Sequence, residues 1–134
     1  MTIEAGLFTE ASLTVDETMT ASSFGGDRLA PVFSTPHLVG FMEDTAHALL
    51  LPYLEPQQSS VGSAVNIRHL AATPVGMQVR MKVELLKVDG RRLHLRMEAW
   101  DELDKIAEGD HERFIIDWGR FMAGVEKKRN LQGN

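Results

Sequence analysis

The sequence contains no cysteine. This absence excludes disulfide frameworks, thiolate zinc sites, iron–sulfur clusters and cysteine nucleophiles. Histidine and carboxylate side chains remain as possible metal ligands, but the histidines are scattered and no His-Glu-x-x-His motif is present. A Gly-x-Ser-x-Gly elbow, a phosphate-binding glycine loop and a dinucleotide fingerprint are also missing. We therefore expect no bound metal and no function that depends on these motifs.

Basic residues and long apolar runs are scarce as well. Lysine and arginine number 14 against 19 acidic residues, and the formal net charge of −5 disfavours binding to nucleic acid or to an anionic membrane surface. No window approaches the roughly 18 apolar residues of a membrane span. Residues 1–10 carry Glu4 and Glu10 and no basic run of the kind that begins a signal peptide. These features predict a soluble, cytoplasmic protein without nucleic-acid or membrane partners.

The 134 residues, 43% of them hydrophobic, suffice for one core but not for two ordinary domains. We predict a single domain over residues 1–134, with flexible ends at about residues 1–12 and 127–134. A further mobile stretch is expected over residues 22–28, where Gly25 and Gly26 are adjacent.

Alternation of apolar and polar side chains predicts five strands. The clearest is residues 77–85, and Asp89-Gly90 after it is a hairpin signature. The same period of two predicts strands at 13–19, 61–70, 93–99 and 106–116. The inward face of the strand at 61–70 is expected to hold Val61, Ser63, Val65, Ile67 and His69.

Residues 37–51 instead follow a helical period, with an apolar arc wide enough for a helix covered on most sides. Thr35 and Pro36 mark its start as a candidate cap and first-turn proline, and Pro52 ends it. A short terminal helix is predicted over 122–129. One strand, a buried helix and four consecutive antiparallel strands predict an α+β hotdog fold, in which a curved sheet wraps one long helix. Because one helix covers little of such a sheet, we expect a homodimer that joins two sheets edge to edge.

Thr35, Glu43 and His69 are the candidate catalytic residues, and each also has a purely structural interpretation. Thr35 could be a helix cap, Glu43 a solvated carboxylate at the border of the apolar arc, and His69 a hydrogen-bonded core histidine. Together they offer a carboxylate nucleophile or base, an imidazole that titrates near neutrality and a hydroxyl at a helix N-terminus. This combination suits transfer of an acyl group to water.

Seven collinear segments over roughly residues 30–125 resemble the fluoroacetyl-CoA thioesterase family of hotdog proteins. They are Val32-Phe33-Ser34-Thr35, Val39-Gly40-Phe41-Met42-Glu43, Pro52-Tyr53-Leu54-Glu55-Pro56, Val61-Gly62-Ser63-Ala64, His69-Leu70-Ala71-Ala72-Thr73-Pro74, Gly90-Arg91-Arg92-Leu93 and His111-Glu112-Arg113.

The resemblance implies hydrolysis of an acyl-CoA thioester at a dimer interface, with Thr35, Glu43 and His69 as the catalytic group. It also implies that Gly62 lies beside the thioester and that Arg113 supports the substrate site. Coenzyme A is part of the substrate, and no metal or redox cofactor is implied. The homodimers could pair further into a dimer of dimers.

The lid before the catalytic threonine departs from the family. Gly26 and Leu29 stand where fluoroacetyl-specific members place aromatic rings, so a different or broader short-acyl preference is expected. Leu29 and Phe33 are predicted to contact the substrate. Cations for the coenzyme A phosphates could come from Arg68, Arg80, Lys82, Arg91 and Arg92, although charged strand faces are also commonly just solvated.

Two other functions fit the same scaffold, because a fold does not dictate its chemistry. One is a hotdog protein that binds acyl-CoA without cleaving it. The other is an enoyl-CoA hydratase, which needs a proton-transfer pair but no attack on the thioester.

Overall fold

The computed structural model describes residues 2–133, which form five β-strands and three α-helices. These are β1 (Phe8–Thr14), α1 (Ser22–Gly25), α2 (Thr35–Leu50), β2 (Gln58–His69), β3 (Gln78–Asp89), β4 (Arg92–Trp100), β5 (Lys105–Asp117) and α3 (Trp118–Gln132). Single 3₁₀ turns at Glu17–Met19 and Leu51–Tyr53 connect some of them.

All five strands belong to one antiparallel sheet with the order β1-β3-β4-β5-β2. Helix α2 packs against both edge strands, β1 and β2, and also against β3. A flat sheet of five strands is about 19 Å wide, which exceeds the roughly 10–12 Å diameter of a helix with its side chains. The sheet therefore curves around α2, and the predicted α+β hotdog fold is confirmed.

Strands β3 and β4 supply the centre of the core, as their alternation predicts. Their fully buried side chains are Val79, Met81, Val83, Leu85, Leu93, Leu95, Met97 and Ala99. The two strands form a hairpin in which Gly90 has a φ of 60°. Because side chains other than glycine rarely adopt a positive φ, Asp89-Gly90 fixes the turn and the register that buries this set.

Helix α2 confirms the predicted buried helix but corrects its cap. The N-cap is Ser34, whose Oγ accepts a hydrogen bond from the backbone N–H of His37. Ser34 has the extended backbone that an N-cap requires, with φ −80° and ψ 152°, whereas Thr35 already belongs to the helix. The hydroxyl of Thr35 is therefore not used for capping. Pro36 lies in the first turn, where its missing N–H costs no hydrogen bond.

Several other sequence-based boundaries differ from the structure. The first strand is β1, whose seven residues all pair with β3. It is not the predicted segment 13–19, because Asp16 caps a 3₁₀ turn at Glu17–Met19. Residues 8–12, expected within a flexible end, therefore belong to a paired strand. Helix α1 lies within the stretch expected to be mobile, and α3 is longer than predicted at both ends, so it includes residues 127–132.

Strand β2 is an edge strand that pairs with β5 along one side only. The pairing register shifts between Gly62 and Ala64, which marks a β-bulge. Such a bulge exchanges the two faces of a strand. Ser60, which is buried, and Gly62, which faces Glu43 on α2, therefore take the inward positions that the alternation had assigned to Val61 and Ser63.

Candidate active site

Thr35 and His69 are in direct contact. Thr35 is the first residue of α2 and His69 the last residue of β2, and Thr35 Oγ1 lies 2.8 Å from His69 Nδ1. The two side chains share a cavity of about 370 Å³ with Phe33, Leu70 and neighbouring residues. His69 Nε2 is buried and has no hydrogen-bond partner within the described chain. A buried imidazole nitrogen without a partner indicates that a further group completes the site.

Burial lowers the pKa of His69 from its ordinary value of 6.5, because removal of water disfavours the charged imidazolium. Within one chain, burial therefore favours the neutral imidazole. A neutral imidazole bonded to a hydroxyl can accept a proton at one nitrogen while the hydroxyl orients the other.

Glu43 belongs to a second group of residues. Its Oε1 lies 3.6 Å from Nη1 of Arg113 and 4.0 Å from Nε2 of His111. The carboxylate also lies directly against Gly62, where a Cβ atom would overlap Oε1. Its side chain is 41% exposed and opens into a cavity of about 440 Å³ that Asp44 also lines. The missing side chain at Gly62 therefore creates the space in which the carboxylate lies.

Arg113 is held in place from several directions. Its Nε donates to Ser60 Oγ and its Nη2 donates to the Ser60 carbonyl oxygen, both at 2.9 Å. Ser60 Oγ is also 2.8 Å from Nδ1 of His47. Burial lowers the pKa of Arg113, and the charge of Glu43 opposes that effect. Arginine stays protonated in proteins, so a fixed positive charge stands beside the carboxylate.

The two groups are separate within one chain. Thr35 and Glu43 are eight residues apart on α2, a rise of about 12 Å. Gly62 and His69 are seven residues apart on β2, a distance of about 23 Å in a regular strand. One chain therefore presents a Thr35–His69 pair at one end of the helix and a Glu43–Gly62–Arg113 group nearer its middle.

The predicted substrate contacts differ in their surroundings. Phe33 is buried and lines the Thr35–His69 cavity. Leu29 is 44% exposed and its side chain lies against Gly25, so it closes onto the lid backbone. Leu29 lines neither the cavity beside Thr35 and His69 nor the cavity beside Glu43.

Three residues of the site were missed by the sequence analysis: His47, Ser60 and His111. His47 lies four residues after Glu43, which is a helical signal that the sequence does contain. Ser60 could not be found because the β-bulge reverses the face of β2. His111 precedes Arg113 by two residues on β5 and so shares its face.

Some of the cations predicted to bind coenzyme A interact with their own chain. Arg80 pairs with Glu10 at 3.0 Å and stacks over Trp100. Arg92 lies 3.5 Å from Glu112, and Lys82 lies over the ring of Phe8. Within residues 2–133, no helix is long and apolar enough to cross a membrane. The same residues contain no group of three or more potential ligands that could hold a metal ion.

The antiparallel sheet wrapped around α2 places the chain in the hotdog class of proteins. The model of the fluoroacetyl-CoA-specific thioesterase family matches residues 15–119, and the chain belongs to this family. Fluoroacetyl-CoA thioesterase of Streptantibioticus cattleyicolor is 44% identical over 97 residues, which are 72% of this chain and 70% of that protein. These matches confirm two predictions: the family, and an enzyme that hydrolyses thioesters.

Solved structures agree with this assignment. The fluoroacetyl-CoA thioesterase FlK superposes with a TM-score of 0.88 at 35% identity, over 94% of this chain and 97% of that one. A thioesterase superfamily member from Thermus thermophilus superposes with a TM-score of 0.89 at 31% identity, over 98% of both chains. A hot-dog-like protein from Thermanaerovibrio acidaminovorans, 24% identical, shares the fold over 92% of this chain and 91% of its own, with a TM-score of 0.86.

Proposed function

We propose that this protein hydrolyses short acyl-CoA thioesters to the free acid and coenzyme A, with Thr35, Glu43 and His69 as catalytic residues. The observation that carries the proposal is the contact of Thr35 Oγ1 with His69 Nδ1, while His69 Nε2 is buried and has no partner among residues 2–133. Relatives support the substrate class, because one FlK variant was solved with fluoroacetate and CoA and another with acetyl-CoA.

In the proposed reaction, water supplies the oxygen that replaces sulfur on the acyl carbon. Glu43 either attacks the carbonyl carbon itself, forming an anhydride that water then cleaves, or removes a proton from the attacking water. The carbonyl oxygen is stabilised at the N-terminus of α2 by the backbone N–H and the hydroxyl of Thr35, because Pro36 has no N–H and the N–H of His37 donates to Ser34. The C–S bond then breaks, and the departing thiolate takes up a proton that the water releases. His69 accepts this proton at one ring nitrogen and passes it on, so the imidazole is unchanged at the end of the reaction. No metal or redox group takes part in these steps.

A two-fold dimer would unite the two groups of one chain into complete sites. The midpoint between Gly62 and His69 falls between Val65 and Asn66 on β2, and the midpoint between Thr35 and Glu43 is Val39 on α2. Antiparallel pairing of β2 with its copy about the first midpoint would place His69 opposite the partner's Gly62. Each His69 Nε2 would then face a carboxylate from the other subunit.

Features of β2 favour this pairing. An exposed strand edge is a template for another strand unless charge or proline blocks it. In β2, the only charged residue before its last position is Arg68, proline is absent, and Val65 is 44% exposed. On α2, Gly40 lies next to the proposed axis, and open space surrounds the position of its missing Cβ. A second copy of the helix could therefore approach closely there.

The function is tested by measuring thiol release from acetyl-, fluoroacetyl-, propionyl-, isobutyryl- and phenylacetyl-CoA. We expect turnover of the short acyl groups and little preference for fluoroacetyl- over acetyl-CoA, because Gly26 and Leu29 replace the lid aromatics of the fluoroacetyl-specific members. Binding of all five thioesters without thiol release would contradict the proposal and favour a binding protein. Hydration of crotonyl-CoA without thiol release would favour a hydratase.

Gly62→Ala should impair turnover while leaving the fold intact. The new methyl group would displace the flexible end of Glu43 and lie 3.3 Å from Cε1 of His111, so it moves the reacting carboxylate at a small cost in stability. A misplacement of about 1 Å in an active site can cost about 100-fold in rate, and we expect kcat to fall by about 10- to 100-fold. Thiol release and thermal unfolding measure the two effects.

The matched control is Gly124→Ala on α3, where an added Cβ meets open space. That variant should keep the wild-type kcat. A wild-type kcat in Gly62→Ala would mean that the space beside Glu43 is not used in the reaction.

A further inference from the structure

His111 is the most enclosed titratable group near Glu43. It lies on β5, and its side chain is fully buried. Its Nδ1 is 2.9 Å from the carbonyl oxygen of Ala64, and its Nε2 is 3.2 Å from Nη1 of Arg113. The Ala64 carbonyl lies at the β-bulge in β2. Both ring nitrogens therefore have a partner of fixed chemical character.

Those partners determine the protonation of the imidazole. A carbonyl oxygen only accepts hydrogen bonds, so Nδ1 must carry a proton. A guanidinium only donates them, so Nε2 must be unprotonated. His111 is thus held as the neutral Nδ1–H tautomer. Burial also favours the neutral ring, because it lowers the pKa of His111. The charge of Arg113 lowers this pKa further, whereas the hydrogen bond to Ala64 and the charge of Glu43 raise it.

The imidazole completes the anchoring of Arg113. Nε and Nη2 of the guanidinium are used by Ser60, and Nη1 donates to His111. With all three nitrogens engaged, the guanidinium plane is fixed and Nη1 stands 3.6 Å from Glu43 Oε1. A freely moving arginine would instead form two direct hydrogen bonds with the carboxylate. Such a pair would occupy the oxygens that the reaction needs.

We propose that His111 is a positioning residue, whose Nε2 holds Arg113 beside Glu43 and leaves the carboxylate oxygens open to water or substrate. The proposal rests on the proposed function, since it assigns a role in that reaction. It also specifies that Nδ1 of the His111 ring carries the proton, which can be tested without any substrate.

Two nearly isosteric substitutions separate positioning from a structural role. In His111→Gln the side-chain oxygen reaches the place of Nε2 and can accept from Arg113, whereas in His111→Asn the amide nitrogen replaces Nδ1 and can donate only to Ala64. We expect His111→Gln to retain kcat within a few-fold. His111→Asn and His111→Leu should each lose about 10- to 100-fold in kcat with little change in KM.

A structural role predicts the opposite order, because His111→Asn keeps the hydrogen bond that joins β5 to β2. Equal activity of the Gln and Asn variants, or higher activity of the Asn variant, would overturn the proposal. The matched control is His94→Gln, at an exposed histidine whose Nε2 is 3.2 Å from Asp110. It should leave kcat and KM unchanged.

A second measurement keeps the proposal testable if the wild type proves not to hydrolyse thioesters. The ¹⁵N resonances of the His111 ring report its tautomer directly, and the exchange rates of the Arg113 Nη protons report its anchoring. We expect the neutral Nδ1–H form at pH 7, with the Arg113 Nη1 signals kept in His111→Gln and lost in His111→Asn, where Nε and Nη2 remain bonded to Ser60. An Nε2–H tautomer or an imidazolium at pH 7 would refute the positioning role. Absence of thiol release with the expected spectra would refute only the proposed function.

Discussion

Glu43→Gln is expected to reduce acyl-CoA turnover by about 100- to 10,000-fold, the range that a positioned acid–base group contributes. Glutamine has nearly the same shape but can neither attack a carbonyl carbon nor accept a proton from water. The protein should remain folded, because Arg113 keeps its hydrogen bonds to Ser60 and His111. Thiol release measures the rate, and circular dichroism with thermal unfolding checks the fold.

The control for Glu43→Gln is the same substitution at a carboxylate outside the site. Glu126 is exposed on α3, where it pairs with Arg129 at 3.6 Å, and Glu126→Gln should retain full turnover. His69→Ala should lose activity to a comparable extent, since it removes the neutral imidazole bonded to Thr35. Undiminished rates in both Glu43→Gln and His69→Ala would remove the catalytic assignment.

A dimer assembled from two inactive subunits, one Glu43→Gln and the other His69→Ala, is expected to recover about half of the wild-type activity. If each site takes Glu43 from one subunit and the Thr35–His69 pair from the other, one site in this dimer carries both substitutions and the other carries neither. The recovery follows from the separation of the two groups along α2 and β2. Coexpression with two different affinity tags, followed by sequential purification, yields the mixed dimer for assay.

The homodimeric variants provide the baseline, because each should be inactive alone. A dimer of two wild-type subunits carrying the same two tags sets the full rate. A purified mixed dimer that stays as inactive as its parents would show that every site is built within one chain, contrary to the proposed pairing. Sedimentation analysis establishes that the assayed species is a dimer.

Local pattern was sufficient to predict the core of this fold. The alternation in β3 and β4 and the Asp89-Gly90 turn between them are determined by neighbouring residues, and so is the apolar arc of α2. The first strand was misplaced because the segment after Thr14 continues to alternate, while Asp16 accepts hydrogen bonds that begin a 3₁₀ turn. Alternation alone does not reveal that competing local structure.

The site was only partly predictable for a different reason. Thr35, Glu43 and His69 could be selected because their chemistry and the family resemblance coincide. Which of them meet depends on long-range pairing, and the bulge at Gly62 and Ala64 that turns Ser60 inward leaves no signature in the alternation. The enclosure of His111 likewise follows from how β5 lies against β2, which the composition of either strand does not specify.

The adjacent hydroxyls at the start of α2 have different partners. Ser34 closes the end of the helix, so the hydroxyl of Thr35 is left free to bond to His69. A substitution at Thr35 would therefore change the contact between helix and strand without unravelling the first turn of α2.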